Sequence, residues 1–205
     1  MKKKLLPFQK RNLLFFFIGL ILISFSLYFI YYSTTNNYLG GFNNKYLKDI
    51  AKNLATFAEI CFFLAIGLFI LRFIIKSLNS NGLKILNSFL NKFKLDIPHE
   101  KQDSFLSSVI FKKTKSFIVS ISKIFQKFHV PIAVLAISII LIHAYIFLYL
   151  GFKWTIGYIL GILALIDLIF MLITGMFRIF NKVIHVHKVL GIIFIILMCL
   201  HIALV

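Results

Sequence analysis

Four histidines form two pairs with the same separation along the chain. His129 and His143 are fourteen residues apart, and so are His187 and His201. At about 100° per residue, fourteen residues fall about 40° short of four helical turns, so both members of a pair lie on nearly the same helix face. With a rise of about 1.5 Å per residue, they are about 21 Å apart along the helix axis. A helix that carries such a pair through a bilayer places one imidazole near each side of the hydrocarbon core.

The composition indicates that these helices do cross a membrane. Of the 205 residues, 60% are hydrophobic and 14% are charged, whereas soluble domains carry about 25% charged residues. A spanning helix needs about 20 mostly apolar residues. We therefore predict an all-α integral membrane protein built as a five-helix transmembrane bundle. Its predicted spans are Leu13–Tyr32, Ala55–Ile75, Val130–Phe152, Thr155–Phe177 and Val186–Val205.

The net charge of +17 is interpreted as a topological signal. No nucleic-acid partner is expected, because no RNA- or DNA-binding motif accompanies the basic residues. With the amino terminus inside, nineteen Lys and Arg residues fall in inner segments and four in outer segments. The positive-inside rule favours this orientation, which places the amino terminus in the cytoplasm and the carboxyl terminus outside. The first span is predicted to be a retained anchor helix.

A basic inner segment separates the second span from the third. In Ser104–Phe128, apolar residues recur at helical spacing between lysines, which predicts an interfacial amphipathic helix lying on membrane lipid. The chain is accordingly expected to divide into three regions. These are residues 1–75, two spans with an outer loop at 33–54; residues 76–128, the basic inner segment; and residues 129–205, a core of three spans that carries the four histidines.

The third and fifth spans run in the same direction, because one crossing lies between them. His129 is therefore expected to face His187 near the inner surface, and His143 to face His201 in the outer half. Two planar, largely apolar cofactors would fit at these two levels, each held by one imidazole from either side, and haem b is the candidate for both. With both axial positions filled by protein, such an iron has no open site for oxygen and passes electrons.

His185 provides an internal control for this assignment. It precedes His201 by sixteen residues, which corresponds to a rotation of about 160° beyond four whole helical turns, so it points away from the proposed ligand face. His187 is therefore the preferred ligand. His99 lies in the polar inner segment, where we expect it to be solvated.

The segments FHVPIAVLAISIILIHAY and HKVLGIIFIILMCLHI resemble the ligand helices of di-haem cytochrome b-type membrane proteins, especially the ferric reductase-like transmembrane domain. In that superfamily the third and fifth helices each carry two haem ligands about four turns apart. The resemblance covers roughly Phe128 to Val205. It implies that His129, His143, His187 and His201 are the axial ligands of two non-covalent haems.

The same resemblance implies an oxidoreductase component that depends on a partner. Ferric reductase-like proteins often continue into a sixth helix and a flavin- and nicotinamide-binding domain, whereas this chain stops four residues after His201 and has no GxGxxG motif. We therefore expect a separate electron donor, either a flavoprotein reductase or quinol, and an outer acceptor such as ferric iron. The expected location is a bacterial plasma membrane.

Glycine and proline residues near the histidines add further expectations. Gly191 lies one turn beyond His187 on the same face, where we expect it to contact a haem. Gly157 and Gly161 form a GxxxG motif, which favours helix packing, with close approach to a porphyrin as the alternative. Pro131 predicts the first turn of a helix or a kink close to His129.

Two acidic residues lie within predicted spans. Asp167 is in the middle of the fourth span, where an unpaired carboxylate is costly. It either hydrogen-bonds the unligated nitrogen of an axial histidine, belongs to a proton path, or is a neutral carboxyl bonded to the backbone. The same three alternatives apply to Glu59, near the outer end of the second span.

Two other classes of function remain open at this point. In the first, the chain is a channel or transporter for a divalent metal, with the histidines as ligands along the path. The small number of carboxylates and thiolates within the spans counts against it. In the second, it is a non-catalytic membrane anchor subunit whose histidines only join helices.

Overall fold

The computed structural model describes residues 6–77, 109–180 and 184–205, and in these ranges it is helical, with no strand. Each long helix has the length and apolar composition needed to cross a membrane. This confirms the predicted all-α class and the five spans. The helices are α1 (Pro7–Thr35), α2 (Asn44–Ser77), α3 (Val109–Tyr149), α4 (Ile156–Ile179) and α5 (Ile184–Leu204), with a 3₁₀ turn at Tyr38–Gly41.

Large apolar side chains remain on the surface of these helices. Ile21 and Phe25 of α1 are 68% and 72% exposed, and the other long helices also carry many exposed large apolar side chains. Contiguous apolar surface of this extent is not tolerated in water. In a bilayer, lipid chains cover it, so the exposure pattern supports an integral membrane protein.

The internal contacts divide the chain into two compact units. The first contains the described residues of Met1–Cys61 and Ala133–Val205, and the second contains those of Phe62–Ile132. The first unit therefore holds α1, α4, α5, the start of α2 and the end of α3. The second holds the end of α2 and the start of α3. This division differs from the three predicted regions.

In the first unit, a small apolar cluster joins the start of α2 to the end of α3. Leu47 and Ala51 of α2 pack with Leu39 and with Ile146 of α3, and all four side chains are buried. Helix α2 begins at Asn44, so the connection between α1 and α2 is much shorter than the outer loop predicted at residues 33–54. The sequence supports the longer helix, since Leu47 and Ala51 recur at helical spacing while the neighbouring lysines, Lys45, Lys48 and Lys52, stay exposed.

Helix α3 is continuous from Val109 to Tyr149, with Pro131 inside it. The predicted boundary between residues 128 and 129 therefore lies within one helix, and from Val109 onward the amphipathic segment leads directly into the third span. Proline is tolerated inside membrane helices, where neighbouring groups can satisfy the freed carbonyl. The earlier part of the predicted surface helix, residues 104–108, and His99 lie outside the described residues.

Helix α1 is held in the first unit by two contacts of different kinds. Gly19 lies so close to α3 that a Cβ at this position would collide with the side chain of Val134. Near the amino-terminal end of α1, the Gln9 Nε2 group donates a hydrogen bond of 3.1 Å to the carbonyl oxygen of Ile179 in α4. The Gln9 side chain is buried, so this bond satisfies a polar group that would otherwise be costly in lipid.

Candidate functional site

The His143 imidazole is anchored to the helix that precedes its own. Its Nδ1 lies 2.8 Å from the carbonyl oxygen of Ala51 in α2. A carbonyl oxygen only accepts hydrogen bonds, so Nδ1 carries the proton and donates it. The neutral ring then has its lone pair on Nε2. The Phe147 ring, one turn later, lies 5.0 Å from the imidazole between centroids.

His201 has the same arrangement in the hairpin formed by α4 and α5. Its Nδ1 donates a hydrogen bond of 2.7 Å to the carbonyl oxygen of Gly157. The imidazole also lies against Gly161, because a Cβ added there would be 2.8 Å from the ring Cε1. The two glycines of the GxxxG motif thus have different surroundings. A Cβ at Gly157 would be 2.8 Å from the Leu204 carbonyl oxygen, so Gly157 permits helix packing and Gly161 makes room for an imidazole.

His143 and His201 belong to the same compact unit. Both are half-buried, and both direct Nδ1 to a backbone carbonyl of another helix. The structure therefore places both histidines of the predicted outer pair in one compact unit, with the lone pair of each neutral ring on Nε2.

His187 is anchored differently, through a side chain. Its Nδ1 lies 3.1 Å from the Thr174 hydroxyl oxygen in α4. That hydroxyl is 2.9 Å from the Phe170 carbonyl oxygen, to which it donates its proton. The hydroxyl oxygen is therefore left as an acceptor, and Nδ1 of His187 donates to it. Gly175 lies beside this ring, since a Cβ there would be 3.4 Å from Cε1.

His129 lies in the second compact unit. Its Nδ1 donates a hydrogen bond of 3.1 Å to the carbonyl oxygen of Ala65 in α2. Pro131 follows two residues later without interrupting α3. Pro131 was predicted to lie in the first turn of a helix or at a kink, and in the structure it lies inside α3, which continues past it.

All four predicted ligands thus share one feature: Nδ1 donates to a group on the preceding helix. Histidines that bind metals through Nε2 almost always have such a partner on the other nitrogen, which fixes the tautomer and the ring orientation. The residues present therefore fit bis-imidazole ligation, for which each iron takes one nitrogen from each of two histidines. The partner groups are the carbonyls of Ala51, Ala65 and Gly157 and the hydroxyl of Thr174.

Sequence reasoning missed the small residues of the preceding helix that contact the imidazoles, although a signal for them exists. Ala51 and Ala65 are separated by fourteen residues, and so are Gly161 and Gly175. These separations equal those of the histidine pairs. Small residues on the preceding helix therefore repeat with the same period as the imidazoles that they approach, in the opposite chain direction.

The remaining candidate residues have mixed surroundings. His185 is exposed and His187 is half-buried, as expected if only His187 faces inward. A Cβ at Gly191 would meet only the Met171 Cε, at 3.8 Å, which is an ordinary contact. The haem contact assigned to Gly191 stays a prediction. Glu59 is half-buried on α2.

Asp167 does not hold a ligand histidine. It is 7% exposed, and its Oδ2 atom is buried with no hydrogen-bond partner in the described part of the chain. The four Nδ1 atoms bond to other groups, so the interpretation of Asp167 as a hydrogen-bond acceptor for an axial histidine is wrong. A carboxyl side chain enclosed in this way in the middle of a span is energetically unfavourable.

Across residues 6–77, 109–180 and 184–205, no group of three or more His, Cys, Asp or Glu side chains is placed to hold a bare metal ion. The described helices define an all-α integral membrane protein with five spans. No protein-family model, curated protein or solved structure matches the chain.

Proposed function

We propose that this protein transfers electrons across a membrane through two b-type haems. His143 and His201 would ligate the outer haem, and His129 and His187 the inner one. The observation that supports the proposal is the common orientation of the four imidazoles, each of which has Nδ1 anchored and its lone pair on Nε2. An imidazole that only joined two helices would have no need of a partner at the same nitrogen in all four cases.

The outer pair has the stronger support. His143 and His201 lie in the same compact unit. His129 and His187 fall in different units, and their pairing is proposed from the equal sequence separations and from the resemblance to ferric reductase-like membrane domains.

A bound b-type haem supplies a one-electron couple at its iron. The chain's own part is to fill both axial positions with imidazole, which leaves no coordination site for a substrate and limits the iron to electron transfer. Gly161 and Gly175 keep the space beside the His201 and His187 rings open.

In this proposal the electron donor is a separate inner partner, either a flavoprotein reductase or quinol. Electrons leave on the outer side to an acceptor such as ferric iron. The protein would be the membrane component of a ferric reductase-like system in a bacterial plasma membrane, with the amino terminus in the cytoplasm.

The test is the haem content of the purified full-length chain after expression with adequate haem. We expect two haems per chain and a reduced-minus-oxidised spectrum typical of low-spin b-type haem. His185→Ala is the matched control, because this histidine is two residues from His187 and exposed; it should retain both haems. Absence of a haem signal from the unmodified protein would contradict the proposal, and a content of one would bring the His129 assignment into question first.

A further inference from the structure

Thr174 differs from the other three groups that anchor the histidines. Ala51, Ala65 and Gly157 contribute backbone carbonyls, whereas Thr174 contributes a side-chain hydroxyl. A side chain can be replaced without altering the helix that carries it. Only the anchor of His187 is therefore open to adjustment by a single substitution.

The Thr174 hydroxyl is fixed in its role as an acceptor. Threonine in a helix can bond its hydroxyl to the carbonyl three or four residues earlier, which selects the side-chain rotamer. Here the oxygen is 2.9 Å from the Phe170 carbonyl and 3.2 Å from the Met171 carbonyl. With the hydroxyl proton donated to one of these carbonyls, the oxygen accepts the hydrogen bond from His187 Nδ1 at 3.1 Å.

We propose that Thr174 is a positioning residue that sets the tautomer of His187 and tunes how strongly its Nε2 donates to a haem iron. The inference rests on the proposed function and adds a means by which the chain gives its two haems different potentials. Donation from Nδ1–H to an acceptor raises the basicity of the ring, and a more basic ligand favours ferric over ferrous iron. Loss of the acceptor should therefore raise the midpoint potential of the haem that His187 ligates and leave the other unchanged.

The primary test is a redox titration of haem-loaded Thr174→Val, which keeps the shape and removes the hydroxyl. We expect one of two components to move to higher potential. A tenfold preferential loss of affinity for the ferric state corresponds to about 59 mV for a one-electron couple. Thr174→Ser retains the hydroxyl and should restore the original potential. A purely structural role would give loss of haem, or equal shifts of both components, and would overturn the proposal.

Thr56→Val is the matched control. Thr56 Oγ1 also donates to the carbonyl four residues earlier, that of Lys52, but the residue lies exposed on α2 and makes no hydrogen bond to a ligand histidine within the described residues. Its replacement removes the same type of intrahelical bond. We expect both haem potentials to be unchanged. A shift as large as that of Thr174→Val would show that the effect comes from the helix and not from His187, and would also overturn the proposal.

A second measurement separates this inference from the proposed function. Nitrogen NMR of labelled histidine in the haem-free protein reports which ring nitrogen of His187 carries the proton. We expect a single Nδ1–H tautomer in the unmodified chain and in Thr174→Ser, and a mixture in Thr174→Val. An unchanged His187 signal in Thr174→Val contradicts the role of Thr174 whether or not the protein binds haem. Absence of haem with the expected tautomer change would contradict only the proposed function.

Discussion

The His201 imidazole makes two close contacts with α4: its Nδ1 donates a hydrogen bond of 2.7 Å to the Gly157 carbonyl, and the ring lies so close to Gly161 that a Cβ there would not fit. These contacts come from opposite ends of the GxxxG motif in α4. The motif therefore fixes both the height and the orientation of the ring, and residues on α4 determine where the ligand of α5 can point.

Gly161→Ala should disturb the outer haem. The new methyl group would lie 2.8 Å from Cε1 of His201, so the ring must move away from the Gly157 carbonyl. Loss of a partner on the second nitrogen costs metal ligands about 10–100-fold in affinity, and we expect an effect of this order on one haem per chain. The measurement is a haem titration of the apoprotein. Gly175→Ala is the matched variant and should have a milder effect on the other haem, because its Cβ would be 3.4 Å from the His187 ring.

Removal of either outer ligand should eliminate one haem and leave the other. We expect His143→Gly and His201→Gly each to lose the same component of the reduced-minus-oxidised spectrum. Added imidazole should restore it, since a glycine leaves space for the free ring. If the two variants lost different components, the pairing of His143 with His201 would be refuted.

Asp167→Leu should stabilise the protein. The Asp167 side chain is 7% exposed, and its Oδ2 has no hydrogen-bond partner within the described residues. A buried unsatisfied polar group costs about 1–3 kcal/mol, and an apolar side chain of similar size removes that cost. We expect a higher thermal midpoint in detergent with unchanged haem content, and a smaller change for Asp167→Asn. A lower midpoint in both variants would indicate a bonding role for the carboxyl.

The close approach of α1 to α3 predicts a pair of coupled variants. Gly19→Ala would press a methyl group into the Val134 side chain, and overpacking of this kind costs about 1–3 kcal/mol. Val134→Ala creates space at the same point. The double variant should therefore recover much of the stability lost in Gly19→Ala. Unfolding measurements on the two single variants and the double variant give the coupling energy directly. A coupling near zero would mean that the two side chains do not meet.

The proposed orientation can be tested by labelling. In a background with Cys61→Ala and Cys199→Ser, a membrane-impermeant thiol reagent added to intact cells should label Lys153→Cys. The same reagent should not label Lys113→Cys until the membrane is opened. Both lysines are exposed, so accessibility does not distinguish them. The reverse pattern would invert the topology and exchange the inner and outer haems.

The elements that the sequence predicts well depend on residues within one helix. Five apolar stretches are enough to give five spans. The exposed position of His185 follows from helical periodicity. The helical period predicts which side of a helix a residue lies on and how far along the helix it lies, and both depend only on residues of that helix.

The missed features depend on which helices are neighbours. Nothing in the surroundings of Thr174 in the sequence indicates that its hydroxyl meets His187, since the contact requires the α4–α5 hairpin. The early start of α2 was missed because its lysines resemble a loop, although Leu47 and Ala51 bury the opposite side. A histidine partner was one of three roles open for Asp167, but the four Nδ1 atoms are engaged by other groups.

The anchoring of the histidines also affects how readily the protein accepts its ligand. Each imidazole is held by another helix, so its rotational freedom is lost during folding and not when the ligand arrives. Immobilising a flexible side chain on binding costs about 0.5–1.5 kcal/mol, and here this free energy is lost during folding and does not reduce the binding affinity. If the protein binds haem as we propose, its histidines are preorganised for it, and the affinity should depend on the integrity of the α4–α5 hairpin as much as on the ligands themselves.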